Sequence, residues 1–408
     1  MLIKLTIKRH LFTADLSIFK PIPSLNAQGE IMKSRSPQGF AKGTHCFDPR
    51  QSAKIAYPLF DILFLTVCAV IGGCEGWEDI EDFGQAHCRW FQDKGLFPNG
   101  LPVHDTIARV ISSLDPEQFQ SCFLKWMQAV STSAKGELIA IDGKVLRSSY
   151  NRDDRQSTIH MVSAFASANG MVLGQVKTDA KSNEITAIPE LLALLNMTGC
   201  LISIDAMGCQ TEIAGKIVDK GGDYLLAVKG NQETLHRAVR EALSPLVQEG
   251  SHKASIEQSR GRTELREYHV MPAGEIAKQF PTWKGLNTLG VAIGYRRDSK
   301  GNESLEYRYY ISSAALTEEQ FATAVRGHWG IENQLHWVLD VTMKEDACPI
   351  YRGDAAQILA TVRHMALNML RAEKGKAASI RCKQKIAAMN SDYLEQVILA
   401  GVNAMDKN

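Results

Sequence analysis

The chain has 408 residues, with 46 Lys and Arg against 45 Asp and Glu and a formal net charge of +1. This length suffices for two or three domains with sizeable cores, and the charge neither favours nor excludes a nucleic-acid partner. The nine cysteines include no Cys-x-x-Cys spacing, which excludes the common structural zinc sites and fits buried thiols in a reducing cytoplasm.

The N-terminal region has no pattern typical of a signal peptide, because basic residues interrupt its first nine positions. The most apolar stretch, residues 59–73, contains Asp61 and is shorter than a membrane span. We therefore predict a cytoplasmic protein, with no membrane partner and a buried helix at this stretch. Residues 1–41 are a poorly defined extension, in which Met32 is an alternative start.

Residues 42–132 carry helical periodicity and are predicted to form an N-terminal helical domain. The predicted helices are Tyr57–Ile71, Trp77–Lys94, His104–Leu114 and one from Pro116 to near Val130. Basic residues are concentrated at the two ends of the chain: residues 1–54 hold nine Lys and Arg against three acids, and residues 363–385 hold seven against one. Such clusters contact phosphates or are simply solvated.

The next region predicts an α/β fold with a mixed sheet. Strands alternate with helices in the order Glu137–Asp142, Thr158–Ser167, Met171–Thr178, helix Asn183–Asn196, Leu201–Asp205, helix Thr211–Lys220 and Tyr224–Lys229. The Asn169-Gly170 turn predicts an antiparallel hairpin. Further β-rich segments predict a β-strand insertion at about residues 250–312. The helices after it, Ala355–Leu370 and Lys383–Met389, are expected to pack behind the sheet.

Two acids follow two of these strands directly. Asp142 ends the apolar run Leu138–Ile141, and Asp205 ends the run Leu201–Ile204. Because an open α/β sheet binds its ligands at the carboxyl ends of its strands, the two carboxylates are expected at one edge. Each Asp alone is more typical of a turn residue.

The third acid, Glu332, lies in a predicted helix that begins with the capping box Thr317 and Gln320 and runs toward Asp340. Apolar residues recur at steps of four and three through this helix, and Glu332 falls on their stripe. We therefore expect Glu332 to face the core, where its charge requires a buried base or a metal ion.

Three carboxylates, two from strand ends and one from a facing helix, are the hard oxygen donors that Mg²⁺ prefers. Two such ions about 4 Å apart stabilise the attacking and leaving oxygens of an in-line phosphoryl transfer. The sequence thus predicts a magnesium site, at which Mn²⁺ can substitute.

Several strings resemble those of bacterial insertion-sequence transposases of the DDE type, in the branch of the H-repeat-associated proteins. They are IDGKVLRSS, KSNEITAIPELL, IDAMGCQ, GGDYLLAVKGNQ, YRYYISSA and HWGIENQLHWVLDV. The resemblance covers about residues 42–400. It implies a transposase-associated N-terminal domain over 42–132, an RNase H-like catalytic domain over 135–372 and a C-terminal helical segment over 373–408.

The same resemblance implies the function. Asp142, Asp205 and Glu332 would be the catalytic, metal-binding acids of an enzyme that cuts DNA at the terminal inverted repeats of its element and joins it to target DNA. Because two ends are joined, a homodimer on DNA is expected.

Candidate DNA contacts come from the residues around these acids. Many relatives carry Tyr, Arg and Lys at the positions of Val325, His328 and Leu339, so this chain departs from their pattern. The candidates are Lys229 and Asn231 after a strand, Arg260 and Arg262 in the insertion, and Arg326, His328 and His336 beside the third acid.

Two alternative functions remain open from the sequence. An inactive remnant would bind DNA ends without cutting them and would be indifferent to chelators. A zinc hydrolase would use His328, Glu332 and His336, which fall at i, i+4 and i+8 of one helix, but it leaves both strand-end aspartates unexplained.

Overall fold

The computed structural model of the protein describes residues 48–51, 55–130, 136–146, 159–178, 184–249, 254–259, 261–348, 350 and 353–403. The predictions for residues 1–41, including Met32, and for Arg260 lie outside these residues. The chain divides into two compact units, a helical unit and a sheet unit. The helical unit comprises Met1–Thr132, Leu146–Ile159 and Val338–Asn408, and the sheet unit comprises Ser133–Val145 and His160–Trp337.

The helical unit is assembled around two buried helices. Its helices are α1 (Leu59–Ile71), α2 (Trp77–Ala86), α3 (Cys88–Asp93), α4 (His104–Ser112), α5 (Pro116–Val130), α11 (Ala355–Ala372), α12 (Ile380–Met389) and α13 (Ser391–Asn403). All of α1 is buried, as the sequence predicted, and its Asp61 accepts a hydrogen bond from the backbone N–H of Phe97 at 2.8 Å. No helix in the described part of the chain is long and apolar enough to cross a membrane.

The C-terminal helices belong to this helical unit. Helix α11 is buried from Ala355 to Leu370 and packs against α1, α4, α5, α12 and α13. The sequence predicts that these helices pack behind the sheet; the structure assigns them to the helical unit, where the N-terminal helices cover the apolar surface of α11. The sequence predicts that α11 is buried but does not indicate which surface covers it.

The sheet unit contains one nine-stranded mixed sheet in the order β3-β2-β1-β4-β5-β9-β8-β7-β6. The strands are β1 (Leu138–Leu146), β2 (Ile159–Ala166), β3 (Met171–Thr178), β4 (Leu201–Ile204), β5 (Asp223–Val228), β6 (Ser255–Ser259), β7 (Arg262–Pro272), β8 (Thr288–Arg297) and β9 (Glu303–Ser312). Strands β1, β4 and β5 are parallel, and Ile141 pairs with Ile204. The hairpin predicted at Asn169-Gly170 joins β2 and β3, with Gly170 at φ 72°.

The predicted β insertion continues the same sheet, since β9 pairs antiparallel with β5 and is followed by β8, β7 and β6. Five helices accompany the strands of this unit: α6 (Glu184–Leu194), α7 (Thr211–Asp219), α8 (Glu233–Glu249), α9 (Gly274–Gln279) and α10 (Glu318–His328). The architecture is therefore α/β, with a large mixed sheet flanked by helices.

Helix α10 lies against the sheet at two glycines. A Cβ at Gly290 of β8 would come within 2.6 Å of the Phe321 ring, and a Cβ at Gly327 would come within 2.4 Å of the Leu138 side chain. Ser167 also donates a hydrogen bond from Oγ to the carbonyl of Gly327 at 3.1 Å. These contacts fix the C-terminal end of α10 beside the beginning of β1.

The predicted capping box at the start of α10 is confirmed. Gln320 N–H donates to Thr317 Oγ1 at 3.2 Å, and Thr317 N–H donates to Gln320 Oε1 at 3.0 Å. The helix does not continue regularly toward Asp340, however. It ends at His328 and is followed by π-helical segments over Ile331–His336 and Val338–Thr342.

This change of helix type overturns one prediction about Glu332. A π-helix closes i→i+5 hydrogen bonds, so its wider turn shifts the residues that face the core. Ile331, Leu335 and His336 are buried, whereas the Glu332 side chain is 55% exposed. Glu332 therefore lies at the edge of the core and not on its inner face.

Candidate metal centre

Asp142 and Asp205 occupy matching positions on neighbouring parallel strands. Each follows one residue of the Ile141–Ile204 pair, so their backbones are about 5 Å apart, the spacing of adjacent strands. Asp142 accepts a hydrogen bond at Oδ1 from the N–H of Gly143 at 2.9 Å. Asp205 follows β4 directly, but the prediction that Asp142 ends its strand was wrong, because β1 continues to Leu146; the register still places the two acids side by side.

Glu332 and His336 reach the same edge from the first π-helical segment. Nδ1 of His336 lies 3.7 Å from Oδ2 of Asp142 and 3.5 Å from Oε2 of Glu332. One donor atom from each of these three residues lies within 4.8 Å of the other two. Two carboxylates and an imidazole thus converge on one point, which suits a divalent cation.

The electrostatics of this cluster also favour a cation. Burial raises the pKa of Asp142 to about 7; the charge of His336 opposes this shift, and the negative charge of Glu332 adds to it. The contact with His336 lowers the pKa of Glu332. A bound cation would offset both the burial of the Asp142 carboxylate and its repulsion by the second acid.

The Asp205 carboxylate is not part of this three-residue cluster. Its Oδ1 accepts hydrogen bonds from the N–H groups of Met207 at 3.0 Å and Gly208 at 3.4 Å, which shape the loop after β4. Two side chains after β5 hold the same loop: Asn231 donates to the carbonyl of Ala206 at 2.6 Å, and Gln232 to that of Cys209 at 2.9 Å. Asn231, a predicted DNA contact, therefore already has a partner within the protein.

His328 lies near both Asp205 and Glu332. Its Nδ1 is 3.0 Å from Oγ of Ser203, two residues before Asp205 on β4. Burial lowers the pKa of His328, while the charges of Asp205 and Glu332 act in the opposite direction. The alternative zinc site consists of His328, Glu332 and His336. In the structure Glu332 and His336 cluster with Asp142, and His328 is not part of that cluster.

His336, predicted to contact DNA, is only 5% exposed. Its Nε2 has no hydrogen-bond partner among the described residues. At this depth the imidazole is poorly placed to contact a DNA backbone. The four-residue spacing from Glu332 predicts His336 as a metal ligand in the zinc alternative, but no sequence pattern indicates that Asp142 joins the pair.

A cleft of about 530 Å³ lies beside the site, between α10 and strands β7–β9. Arg326 lines it and forms an ion pair with Glu257 at 2.6 Å, and Glu257 also pairs with Arg266 at 3.1 Å. Arg262 pairs with Glu264 at 3.4 Å near the same cleft, and Lys229 is exposed at the end of β5. Most predicted basic contacts are therefore on the surface of the sheet unit.

The sequence analysis missed two residues of this cleft. The Arg308 guanidinium lies 4.2 Å above the centre of the Trp329 ring, and it also makes two hydrogen bonds of 2.7 Å to the Glu306 carboxylate. Trp329 is 42% exposed, three residues before Glu332. An exposed indole beside an arginine is a surface on which a planar group can stack.

Comparison with known proteins gives a consistent result. Residues 133–369 match the family described as "Transposase DDE domain", and residues 44–127 match the family described as "DDE_Tnp_1-associated". The Escherichia coli K12 protein named "H repeat-associated putative transposase YhhI" is 49% identical over 359 residues, which is 86% of this chain and 95% of that protein. "Inactive transposase YbfQ" of the same strain is 62% identical over 65 residues, 16% of this chain and 77% of that protein.

Among solved structures, the cryo-EM structure of a piggyBac transposase synaptic complex with hairpin DNA matches with a TM-score of 0.43 and 10% identity. The match covers 99% of this chain and 81% of that chain.

Proposed function

The chain belongs to the family of DDE-domain transposases, in the branch of the H repeat-associated proteins, and we propose that it is an active, metal-dependent member. It would cut DNA at the ends of an insertion sequence and join those ends to target DNA. The observation that carries this proposal is the convergence of Asp142 in β1 with Glu332, which is far from it in the chain.

Asp142, Asp205 and Glu332 are proposed as the acids that hold Mg²⁺, for which Mn²⁺ can substitute. The bound ions would polarise the scissile phosphate and promote ionisation of the attacking water. The order of β1 to β5, with two parallel neighbours after a hairpin, supports an RNase H-like catalytic fold. The two backbone N–H groups that bind Asp205 would hold its carboxylate at the rim of the site.

The proposed reaction has two steps. In the first, the oxygen of water attacks the phosphorus at the element end, the P–O3′ bond breaks, and the products are a 3′-hydroxyl and a 5′-phosphate. In the second, that 3′-hydroxyl attacks a phosphodiester of target DNA, forming one P–O bond as another breaks. The second step conserves the number of phosphodiester bonds, so it needs no external energy source.

DNA is proposed to contact the exposed basic side chains near the metal centre, namely Lys229, Arg262 and Arg326. Such contacts neutralise phosphates and make affinity depend on salt. His328 would act closer to the acids, since it borders Asp205 and Glu332. Two ends joined in one reaction support a homodimer on DNA, and we propose the bacterial cytoplasm as its location.

The proposal is tested with purified full-length protein and a supercoiled plasmid that carries the gene with its own flanking DNA. Reactions contain Mg²⁺, Mn²⁺, Zn²⁺ or a chelator, beside the Asp142→Asn, Asp205→Asn and Glu332→Gln proteins. We expect cuts at defined ends with Mg²⁺ or Mn²⁺ and none from the variants, which keep their affinity for the ends.

Two results would contradict the proposal. End binding without cuts under any metal would identify an inactive, DNA-binding remnant. Activity with Zn²⁺ alone that survives Asp205→Asn would favour a zinc hydrolase. As a matched control, Asp219→Asn removes an exposed acid paired with Lys284 elsewhere in the sheet unit and should cut normally.

A further inference from the structure

We infer that His336 is a third protein ligand of the cation held by Asp142 and Glu332, so that the site offers one nitrogen and several oxygens. This inference rests on the proposed function, because it assigns a further residue to the same metal centre. It replaces the predicted role of His336 as a DNA contact.

The distances fit shared coordination better than hydrogen bonding. Nδ1 of His336 is 3.5 Å from the Glu332 oxygen and 3.7 Å from the Asp142 oxygen, longer than the roughly 2.7–3.2 Å of an N–H···O hydrogen bond. Two ligands that each lie about 2.1 Å from one cation are roughly 3.0 Å apart at a right angle and about 4.2 Å apart on opposite sides. The observed separations lie between these limits.

The burial of the ring supports the same role. His336 is nearly inaccessible, and its Nε2 has no hydrogen-bond partner among the described residues. Burying a polar nitrogen without a partner costs free energy. Coordination would take place through Nδ1, the nitrogen that faces both carboxylates, and it requires the neutral ring with its proton on Nε2.

His328 provides an internal comparison. Both histidines lie close to Glu332, but Nδ1 of His328 is occupied by Ser203 at 3.0 Å, and His328 is not part of the three-residue cluster. If a histidine binds the cation, the geometry assigns that role to His336. The two rings can therefore be separated by substituting each in turn.

Coordination by His336 has a consequence for the choice of metal. Mg²⁺ prefers all-oxygen ligands, whereas imidazole nitrogen is bound better by transition metals such as Mn²⁺. A mixed set therefore favours Mn²⁺ over Mg²⁺. Removing the imidazole should weaken Mn²⁺ binding more than Mg²⁺ binding.

The test is pulsed electron paramagnetic resonance of Mn²⁺ bound to the full-length protein, which detects directly coordinated ¹⁴N. We expect ¹⁴N coupling in the wild type, its loss in His336→Gln and its retention in His328→Asn. Calorimetric titration should show Mn²⁺ affinity at least about tenfold weaker in His336→Gln, with a smaller change for Mg²⁺. Circular dichroism and melting temperature verify that each variant is folded.

Each other outcome overturns the inference. Wild-type Mn²⁺ without ¹⁴N coupling would show that His336 only positions the carboxylates, and the proposed metal-dependent activity would stand. Coupling lost in His328→Asn but kept in His336→Gln would assign the nitrogen to His328. If the wild type binds neither Mn²⁺ nor Mg²⁺, the metal centre of the proposed function fails as well. Absence of ¹⁴N coupling in the wild type would overturn the inference even if a variant does not fold.

Discussion

The ring of Phe321 occupies the space into which a side chain at Gly290 would project, since an ideal Cβ there lies 2.6 Å from two ring carbons. The ring also makes edge contacts with Tyr268 and Tyr310, which leave it little room to move. Helix α10, which precedes Glu332, therefore packs closely against the sheet because Gly290 has no side chain.

We predict that Gly290→Ala lowers the free energy of unfolding by about 1–3 kcal/mol, the usual cost of overpacking a core. The matched control is Gly294→Ala on the same strand, where a Cβ meets nothing within 4 Å. That control should leave stability unchanged or slightly higher, because alanine restricts the unfolded chain. Urea unfolding of both variants measures the difference, and equal midpoints would contradict the packing argument.

A second prediction concerns pH. The pKa of Asp142 is raised to about 7, first by burial and also by the charge of Glu332, with the charge of His336 acting in the opposite direction, whereas an unfolded Asp has a pKa of about 3.9. Between roughly pH 4 and 7 the folded protein therefore binds more protons at this group than the unfolded chain does, and the contribution of Asp142 to stability falls as pH rises. The lowered pKa of Glu332 acts in the opposite sense and stabilises above the unfolded pKa of Glu.

With metal removed, we expect Asp142→Asn to gain melting temperature relative to the wild type at pH 8 and to lose that advantage at pH 5. Adding Mn²⁺ should stabilise the wild type more at pH 8 than at pH 5, and should do little for the variant. Differential scanning fluorimetry across pH provides the measurement. A pH-independent difference between the two proteins would show that Asp142 does not titrate in this range.

The third prediction separates two roles for Asn231. Its side chain ties the loop after β4 through the carbonyl of Ala206, so we expect Asn231→Ala to reduce cleavage about 10- to 100-fold by displacing Asp205, without changing DNA affinity. Lys229→Ala, two residues away, should instead weaken DNA binding. It should also reduce the slope of log affinity against log salt concentration by about one. Equal losses of affinity and cleavage in Asn231→Ala would restore its predicted role as a DNA contact.

The fourth prediction concerns the ion pairs of the cleft. Glu257 pairs with both Arg266 and Arg326, and Arg266 also pairs with Glu264. Glu257→Gln should therefore release the Arg326 guanidinium and strengthen DNA binding several-fold, with a steeper salt dependence. Stability should change by less than about 1 kcal/mol, because these pairs are largely exposed. The control is Glu275→Gln, which breaks the exposed pair with Lys278 on α9. Fluorescence anisotropy with labelled DNA would show whether the cleft lies along the DNA path; an unchanged affinity would place it elsewhere.

Local sequence patterns predicted most of the elements that form this site. The apolar runs before Asp142 and Asp205 became adjacent parallel strands, the Asn169-Gly170 turn became a hairpin, and Thr317 capped its helix. These signals are local, because they depend on periodicity and on the backbone preferences of a few residues. Strand β6 lies inside the predicted β insertion, but Ser255–Ser259 has little apolar character of its own, and the strand forms through pairing with β7.

The direction in which the Glu332 side chain points could not be predicted in the same way. A 3.6-residue period places Glu332 on the same face as Phe321, Val325 and Leu335. No sequence pattern predicts the π-helical turns that move Glu332 to the edge of the core. The proximity of His336 to Asp142 depends on the same π-helical turns and on the close packing of α10 against Leu138 at Gly327. Tertiary packing decides both, so they became visible only in the folded chain.

The separation of Asp142 and Glu332 along the chain also governs when the site can exist during synthesis. Asp142 and Asp205 are synthesised well before the segment Ile331–His336, and until that segment folds neither Glu332 nor His336 can reach them. A gene copy truncated after β9 would therefore encode both aspartates but neither Glu332 nor His336, and its product could not assemble the proposed metal centre.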